Sequence, residues 1–462
     1  MLTLFWTDAL FLLLLAMLGG LIWHSRRHEH LRRPWRKVAR SRSAMVSAVI
    51  LLAYLFIAVL DSIHFLPPDG EGGVRYKTEP VSVLDWFLTP LRTRVEKTYS
   101  APLAVQGYAK ENLRLADGSS RWDYPRLEFG GAHLKDPARG WLRDVLRTGF
   151  KGAAGGLGLG VILCFGTVFL IARVRELPVS LVGGEVLSGQ SEVPWRAILG
   201  TVVVLCIVGG VLGELALKYH VFGTDKVGED VLYQALKSIR TGILIGTLTT
   251  FVTLPLSLLL GILAGYFRGW VDDLIQYLYT TLNSIPGVLL IAAVILLTQV
   301  YMAKHEEEFA SLALRADLRL LFLCLILGIT SWTGLCRLLR AETLKLREME
   351  YVQAARALGV RQGTILLRHI LPNVFHIVLI SVALDFSSLV LAEAVLSYVN
   401  IGVDPTTDSW GNMINSARLE MAREPPVWWS LTAAFVFMFA LVLAANLFAD
   451  AVRDAFDPRR AD

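Results

Sequence analysis

Residues 350–373 read Glu350-Tyr-Val-Gln353-Ala354-Ala355-Arg356-Ala-Leu-Gly359-Val-Arg-Gln362-Gly363-Thr-Ile-Leu-Leu-Arg368-His369-Ile-Leu371-Pro372-Asn373. This is a polar, helix-forming island between two apolar runs. Ala354, Ala355, Arg356, Ala357 and Leu358 are strong helix formers. Gly359 ends the helix, because glycine tolerates the positive φ that follows a helix end. Gln362-Gly363 marks a turn, after which a second short helix is expected to run to Pro372. Val352, Ala355 and Leu358 recur at spacing three and give the first helix a modest apolar stripe. Its small alanines would let another protein's groove approach closely. An ordinary amphipathic surface loop would share these local features.

The runs on either side of the island decide the fold class. The chain has 462 residues, 54% of them hydrophobic and only 18% charged, with a mean hydropathy of +0.52. That apolar content exceeds what soluble globular domains carry. A membrane span needs about 20 apolar residues. Roughly nine runs approach that length: 3–23, 44–60, 151–172, 197–217, 239–266, 275–300, 318–339, 374–398 and 428–449. Lipid admits only helices or closed barrels, and these runs are of helix length, so the expected fold is an all-α polytopic membrane protein. The net charge of +5 sits mostly beside the runs, where it sets orientation, and does not suggest nucleic acid as a partner. The four cysteines, Cys164, Cys206, Cys324 and Cys336, lie in or beside apolar segments. They read as small buried hydrophobes, without the spacing of a disulfide or metal framework.

Taken in order, residues 1–60 form an N-terminal pair of spans joined by a basic connector. Asp8 precedes the first apolar core, and Arg26, Arg27, Arg32, Arg33, Arg36 and Lys37 follow it. This order places the N-terminus outside and the connector inside. A cleaved signal peptide would carry its positive charges before the apolar core instead. The connector could touch anionic lipid, although setting orientation is sufficient reason for its charge. Residues 61–147 are an external insert with turn signals at Pro67-Pro68-Asp69-Gly70, Gly72-Gly73 and Gly130-Gly131. Trp86, Tyr99, Tyr108, Trp122, Tyr124 and Phe129 give it some core, and it reads as a structural or docking element. Residues 148–217 carry two spans with an inner connector. The run Gly155-Gly156-Leu-Gly158-Leu-Gly160 follows no strand, so it points to close helix packing rather than to a phosphate loop.

In the remainder, 218–462, three features stand out. Asn283-Ser284-Ile285-Pro286-Gly287 interrupts an apolar run, and a break at Pro286 can line a path or merely kink a helix. The acidic run Glu306-Glu307-Glu308 falls outside, where a solvated helix face is sufficient explanation. Asp385 and Glu393 lie eight residues apart within one run, close to two helical turns, which predicts a shared face. Charges inside a span are costly and face protein or a water-filled cavity. The pair therefore fits a polar channel or a hydrogen-bonded helix interface equally well.

The stretch 350–372 resembles the coupling loop of ATP-binding-cassette importer permeases. That family has Glu-Ala-Ala, a Gly after three residues and Ile-x-Leu-Pro nine residues later. Here the corresponding residues are Gln353-Ala354-Ala355, Gly359 and His369-Ile-Leu371-Pro372, so Gln replaces Glu and His replaces Ile. The likeness extends over about residues 215–459 to the C-type permease of peptide/nickel importers. Phe222-Gly223-Thr224-Asp225-Lys-Val-Gly228-Glu229-Asp230 matches its outer signature, with Glu229 in place of Arg. Thr224 or Asp225 can also serve simply as a cap, and Asp230 as an acceptor for backbone or cationic partners. Leu391-Ala-Glu393-Ala-Val-Leu-Ser397-Tyr398, Gly402-Val-Asp-Pro405, Ser409-Trp410-Gly411-Asn412-Met413 and Asp454-Ala-Phe-Asp457-Pro458-Arg459 are further matches, although Val399-Asn400 replaces Leu-Gly. Leu127-Glu-Phe-Gly-Gly131 faintly resembles an external insert of some long oligopeptide-type permeases.

The resemblance implies that the last six of about nine transmembrane helices form a type I importer core in a bacterial inner membrane. Gln353, Ala354, Ala355, Arg356, Gly359, Leu371 and Pro372 would dock on an ATPase. Gly223, Thr224, Asp225, Asp230, Ser409, Trp410, Gly411 and Asn412 would lie at or near the outer gate, with Trp410 also suited to an interfacial anchor. Pro286, Asp385 and Glu393 are candidates for the translocation path. The implied partners are a second homologous permease, two ATPase subunits, an external substrate-binding protein and membrane lipid. No Gly-x4-Gly-Lys-Ser/Thr loop occurs. ATP and magnesium are therefore expected on the partner ATPase, with no cofactor or metal bound directly and no catalytic residue in this chain. The expected function is an alternating-access permease for oligopeptides or dipeptides, in which a charge at Ala355 should uncouple ATPase from transport. The alternatives are a secondary transporter driven by ions through Asp385 and Glu393, and a membrane scaffold that transports nothing.

Overall fold

A computed structural model describes residues 2–27, 29–67, 80–114, 120–305 and 311–456. The acidic run at 306–308, most of the turn cluster at 67–73 and the tail residues 457–459 lie outside them. The chain opens with strand β1 (Leu2–Thr3), then helices α1 (Trp6–Arg27), α2 (Glu29–Arg40) and α3 (Arg42–Ser62). Strand β2 (His64–Phe65) pairs antiparallel with β1 and with β3 (Val81–Ser82). Helices α4 (Val83–Phe87) and α5 (Thr89–Thr93) and the hairpin β4 (Glu111–Arg114)/β5 (Ser120–Asp123) complete the insert. Then follow α6 (Pro137–Arg175), α7 (Val179–Ser188), α8 (Trp195–Ala216), α9 (Val231–Phe267), α10 (Trp270–Ser284) and α11 (Gly287–Lys304). The last elements are α12 (Leu312–Arg347), α13 (Glu350–Ala357), α14 (Gln362–Ile365), a π-turn at Leu366–Ile370, α15 (Leu371–Tyr398), α16 (Trp410–Glu420) and α17 (Trp429–Phe456).

The fold is thus an all-α polytopic membrane architecture. Among the described residues, eight helical stretches are long and apolar enough to cross a membrane: Trp6–Trp23, Arg42–Ser62, Gly140–Arg175, Trp195–Ala216, Val231–Phe267, Gly287–Lys304, Gln362–Tyr398 and Trp429–Phe456. The remaining run expected to span, 318–339, lies inside α12. That helix buries Leu320, Leu323, Leu327, Trp332, Leu335 and Leu339 along its middle. Much of its apolar surface therefore meets protein.

Two expectations about the spans are corrected. Residues 275–300 are not one helix, because the chain leaves helical geometry at Ile285 (φ −93°, ψ 129°) and Pro286 starts α11. Proline disfavours α conformation in the residue before it and donates no N–H, so a full break replaces the anticipated kink. The second short helix does not end at Pro372. It runs through the π-turn into α15, making Gln362–Tyr398 one continuous candidate span. The π-turn places the Leu371 N–H on the Leu366 carbonyl. Pro372 then falls in the first turn of α15, where a missing N–H costs least.

The chain divides into two compact units, each built from discontinuous segments. The first comprises Met1–Thr3, Lys37–Arg240 and Asp408–Ala444. Its main helix pair is α6 with α8. Gly152, Gly156 and Gly160 recur every four residues on α6, and the backbone of α8 lies directly on them. A Cβ on Gly156 would stand 2.2 Å from the Cys206 carbonyl oxygen, and one on Gly152 would stand 2.4 Å from that of Gly210. Small residues in this register let two helices approach to main-chain contact, where dispersion supplies the attraction that lipid does not. Gly155 and Gly158, in the same run, meet nothing within 4 Å. The insert packs on this unit through Leu91, Val105, Leu215, Ala216, Tyr219, Val221 and Leu232.

The second unit comprises Leu4–Arg36, Thr241–Thr407 and Ala445–Asp462. Its core cluster joins α9, α12, the 350–370 loop and α15 through Ile262, Tyr266, Leu335, Leu339, Val352, Ile365, Ile370 and Val374. Helix α1 packs against α12, and the Trp6 N–H donates to Asp317 Oδ2 at 3.0 Å. Arg340 holds Asp272 in a two-pronged ion pair at 2.6 and 2.7 Å, joining α12 to α10.

Candidate functional site

The loop between α12 and α15 has two faces. Val352 is fully buried and Ala355 is 8% exposed, both inside the core cluster just described. The opposite face presents Gln353, Ala354, Arg356, Ala357, Leu358 and Gly359 to the outside, with Leu358 at 83% exposure. The spacing-three stripe therefore splits: Val352 and Ala355 anchor the helix to its own protein, while Leu358 points away. Ala355 is thus not on the surface that a second protein would meet. A charge there would strike the chain's own core first, so the Ala355 expectation is corrected to its neighbours. Gly359 (φ +73°) closes α13. The Val360 N–H bonds the Ala355 carbonyl at 3.1 Å, and the Gly359 N–H bonds that of Arg356 at 3.0 Å, the double bond pattern that a left-handed residue at this position permits.

The two departures within the loop have local explanations. Gln353 Nε2 donates to the Glu348 carbonyl at 3.3 Å and to Glu348 Oε2 at 3.4 Å. Glu348 also accepts from Arg268 Nη2 at 2.9 Å. A carboxylate at 353 would face the Glu348 carboxylate, whereas the amide donates to it. His369 is half-buried with its ring 6.2 Å from that of Tyr351. Asn373 Nδ2 donates to the His369 carbonyl at 2.6 Å and to the Tyr351 hydroxyl at 3.2 Å. These bonds tie α13 to the start of α15. Leu371 is half-buried and Pro372 exposed. Arg347 Nη1 donates to the Tyr266 carbonyl at 2.7 Å, and the Arg356 guanidinium lies 5.9 Å from the Tyr266 ring centre.

In the first unit, the outer signature at 222–230 is the seat of the insert. Thr224 Oγ1 accepts from the Ser100 N–H at 2.6 Å and donates to the Thr98 carbonyl at 2.8 Å. The Glu96 N–H bonds the Gly228 carbonyl at 2.9 Å, and the Thr224 N–H bonds that of Ser100 at 3.1 Å. Gly228 (φ +83°) backs so closely on Glu96 that a Cβ would fall 1.8 Å from its carbonyl oxygen. Only glycine supplies both that backbone angle and that clearance. Asp225 accepts from the N–H groups of Val227 and Glu229 at 3.0 and 2.9 Å, so it shapes the turn, as a cap would. Gln234 Nε2 bridges Asp225 and Glu229 at 2.9 and 3.1 Å. The reversed charge at Glu229 is thereby accommodated.

Sequence reasoning missed the group at the centre of this seat. His220 is buried between Asp230, 2.8 Å from Nδ1, and Glu96, 3.4 Å from Nε2. Glu96 also accepts backbone N–H groups of Glu128, Phe129 and Gly130 at 2.9, 2.8 and 3.0 Å. The Leu127–Gly131 stretch is therefore the part of the insert that wraps this carboxylate. Burial alone would lower the imidazole's affinity for a proton, but Asp230 and Glu96 outweigh it and raise His220 to about 9. Burial would raise Glu96, yet His220 and the three amides bring it down to about 2. The sequence marked Asp230 as an acceptor for a cationic partner but did not identify that partner as the histidine just ahead of the signature.

A second buried network lies beside α16. Lys237 Nζ, on α9, reaches Asp61 Oδ1 at 2.8 Å and Asp85 Oδ1 at 3.0 Å. Ser82 Oγ donates to Asp61 and Tyr233 OH to Asp85, both at 2.7 Å. Burial pushes Asp85 up, but Lys237, the Ser82 amide and Tyr233 overcome it, and the carboxyl falls to about 2. Asp408 is pushed up to about 7, first by burial and then by Asp61, Glu229 and Asp85, with Lys237 opposing. A lysine inside a span was the available signal for this cluster. Next along the chain, Ser409 caps α16 by accepting the Asn412 N–H at 3.0 Å, and Gly411 is buried. Trp410 is 1% exposed and its Nε1 donates to the Ala235 carbonyl at 3.2 Å. It locks α16 onto α9 and is not an interfacial anchor.

The path candidates separate. Asp385 is half-buried on an open groove of about 570 Å³ between α12 and α15. Glu393 is 1% exposed and accepts from Ser397 Oγ at 2.7 Å. The expected shared face does not line one cavity, because eight residues overshoot two turns by about 80°. Pro286 is exposed at the α10–α11 break and does not line the Asp385 groove. Nor do the described residues bring together a cluster of ligands that could hold a metal ion.

Comparison with known proteins covers the second half of the chain. The family model described as "Binding-protein-dependent transport system inner membrane component" matches residues 257–462. The glutathione transport system permease protein GsiD of Pectobacterium atrosepticum is 32% identical over 250 residues, 54% of this chain and 75% of that protein. The oligopeptide transport system permease protein OppC of Mycobacterium bovis is 32% identical over 239 residues, 52% of this chain and 76% of that protein. The dipeptide transport system permease protein DppC of Lactococcus lactis is 28% identical over 243 residues, 53% of this chain and 65% of that protein.

Proposed function

The chain belongs to the inner-membrane permease family of binding-protein-dependent transport systems, and on that premise we propose that it carries peptides inward as one subunit of an ATP-driven importer. The names of its relatives, which specify oligopeptide, dipeptide and glutathione transport, support a peptide-like substrate. An external binding protein delivers the substrate. ATP and magnesium act on two separate ATPase subunits, and a second homologous permease completes the path.

The two-faced loop carries this reading. Its inner face is locked to α9, α12 and α15 through Val352, Ala355, Ile365 and Ile370. Its outer face offers Ala354, Ala357 and Leu358 to a partner's cleft. A push on that face reaches α15 through the core that Val352 and Ala355 share with Ile365, Ile370 and Val374, and beyond the turn at Gly359 the segments α14, π-turn and α15 run on as one helix. Closure of the ATPase dimer would thus be delivered to a spanning helix that borders a polar groove, and rocking of the spans would open that groove to one side and then the other. The reading driven by ions required Asp385 and Glu393 to act on one channel face. With Glu393 enclosed and bonded to Ser397, no observation favours it.

The test places a charge where the loop faces out. Leu358→Asp and Ala354→Asp should insert and fold normally, yet lower uptake of a labelled tripeptide by cells at least tenfold and lower co-purification of the ATPase. Uptake within twofold of the unmodified protein, with both substitutions, would refute the docking role of this face.

A further inference from the structure

The groove between α12 and α15 holds two ionisable side chains that the other described residues leave unpaired. It is lined by Ser331, Gly334, Leu335, Arg337 and Leu338 from α12 and by Ser381 and Asp385 from α15. Arg337 has no ion-pair or hydrogen-bond partner among the described residues, and the Asp385 carboxylate has none either. Elsewhere this chain pairs its embedded charges: Lys237 with Asp61, Arg319 with Asp404, Arg340 with Asp272. Asp385 lies within a spanning helix, where an unpaired carboxylate is expensive and marks a place where something else supplies the counter-charge, while Arg337 stands exposed near the inner end of the 318–339 run. Here the two side chains, of opposite sign, open on one groove, with serine hydroxyls at Ser331 and Ser381 beside them. The six helical steps from Ser331 to Arg337 cover about 9 Å, roughly the length of two to three extended peptide units. A volume of about 570 Å³ is within the range of small-ligand sites.

We propose that Arg337 and Asp385 form a station for zwitterionic peptides in transit, with Arg337 receiving the terminal carboxylate and Asp385 the terminal ammonium. A guanidinium fork matches a carboxylate in two-pronged geometry, and a carboxylate is the natural partner of an ammonium. Ser331 and Ser381 can serve the intervening amide groups. The groove then selects for peptides with both ends free, and it does so after the binding protein has released its cargo. This assignment rests on the peptide-importer reading and adds to it a discrimination made inside the permease.

The experiment uses the assembled importer in proteoliposomes, with its binding protein inside or outside as uptake requires, and three probes: trialanine, N-acetyl-trialanine and trialanine amide. Asp385→Asn should lower the ratio of trialanine to N-acetyl-trialanine uptake at least tenfold. Arg337→Gln should lower the ratio of trialanine to trialanine amide uptake by a similar factor. Binding-protein affinities cancel, because the same binding protein serves every variant and only ratios between variants are read. Unchanged ratios overturn the station while leaving the importer reading intact. Equal losses for all three probes, accompanied by loss of the second permease on purification, would show that these charges pair across the subunit contact, and would also overturn it. Failure of the unmodified importer to move any of the three peptides would overturn both readings.

Discussion

At the scale of single residues, the outer seat turns on one buried imidazolium. His220 lies between Asp230 and Glu96, so replacing it with Gln leaves two buried carboxylates facing each other, at a cost of about 3–5 kcal/mol. His220→Gln should therefore lower the thermal midpoint of the purified protein and open the insert to protease. The pH dependence has a defined sign. A base raised to about 9 contributes stability that is complete below its ordinary value of 6.5 and is lost as pH rises through 9. Glu96, lowered to about 2, contributes above its ordinary 4.5 and loses that contribution as pH falls toward 2. Protease protection of the insert should thus be greatest between about pH 4.5 and 6.5 and decline toward pH 9, and the alkaline decline should vanish in His220→Gln. Asp408 has the opposite character for an acid. Raised to about 7, it favours the fold while protonated and opposes it increasingly as pH rises from 3.8 through 7. Asp408→Asn should raise the thermal midpoint at pH 8 and leave it nearly unchanged at pH 4; a fall at pH 8 would contradict this account. Asp230 was legible as an acceptor for backbone or cationic partners, and it takes the Leu232 and Tyr233 N–H groups and His220, but the other partnerships were not. Glu96 and His220 are more than a hundred positions apart, and nothing local to either predicts the three amides that wrap the carboxylate. Gln353 is a contrary case, since its departure from the family pattern was visible but its reason, Glu348, needed the fold.

At the scale of elements, apolar length and breakers located the membrane-length helices and the loop helices, but not α2, α4, α5 or α7, which lie in segments read only as connectors or insert. The runs were legible because lipid demands about 20 apolar residues. Ile285-Pro286 was visible as a disturbance, but only the extended geometry at Ile285 turns a kink into a break. Pro372 misled in the other direction, because a π-turn absorbs it and the helix continues. In the coupling loop, spacing three correctly grouped Val352 and Ala355, which pack in the chain's own core, but wrongly joined Leu358 to them, and of the two adjacent alanines read as open to a foreign groove only Ala354 faces out. The glycine run was read rightly as packing, but the run alone does not say which glycines do it: Gly156 and Gly160 carry the contact with Gly152, and Gly155 and Gly158 do not. That difference is testable. Gly156→Leu forces apart two touching main chains and should cost about 1–3 kcal/mol or more, read as a lower thermal midpoint and poorer yield. Gly158→Leu, with open space before its Cβ, should leave both nearly unchanged.

At the scale of the whole molecule, span order and charge bias predict that the insert and the 350–372 loop lie on opposite sides of the membrane. In a background freed of its four native cysteines, Lys97→Cys should react with an impermeant maleimide added to intact spheroplasts. Leu358→Cys should react only after permeabilisation. Both side chains are well exposed, so in cells that lack the ATPase subunits a failure to label reflects sidedness rather than burial, and the reverse pattern would invert the topology. The contact between α6 and α8 has a mechanical corollary. Two helices that touch main chain to main chain have no intervening side chains whose rotamers could relax, so they behave as a single girder. Spin labels placed across the pair, away from the touching glycines, should report one constant separation in every state of the transport cycle. Whatever flexing the first unit undergoes must be taken up elsewhere in its connections.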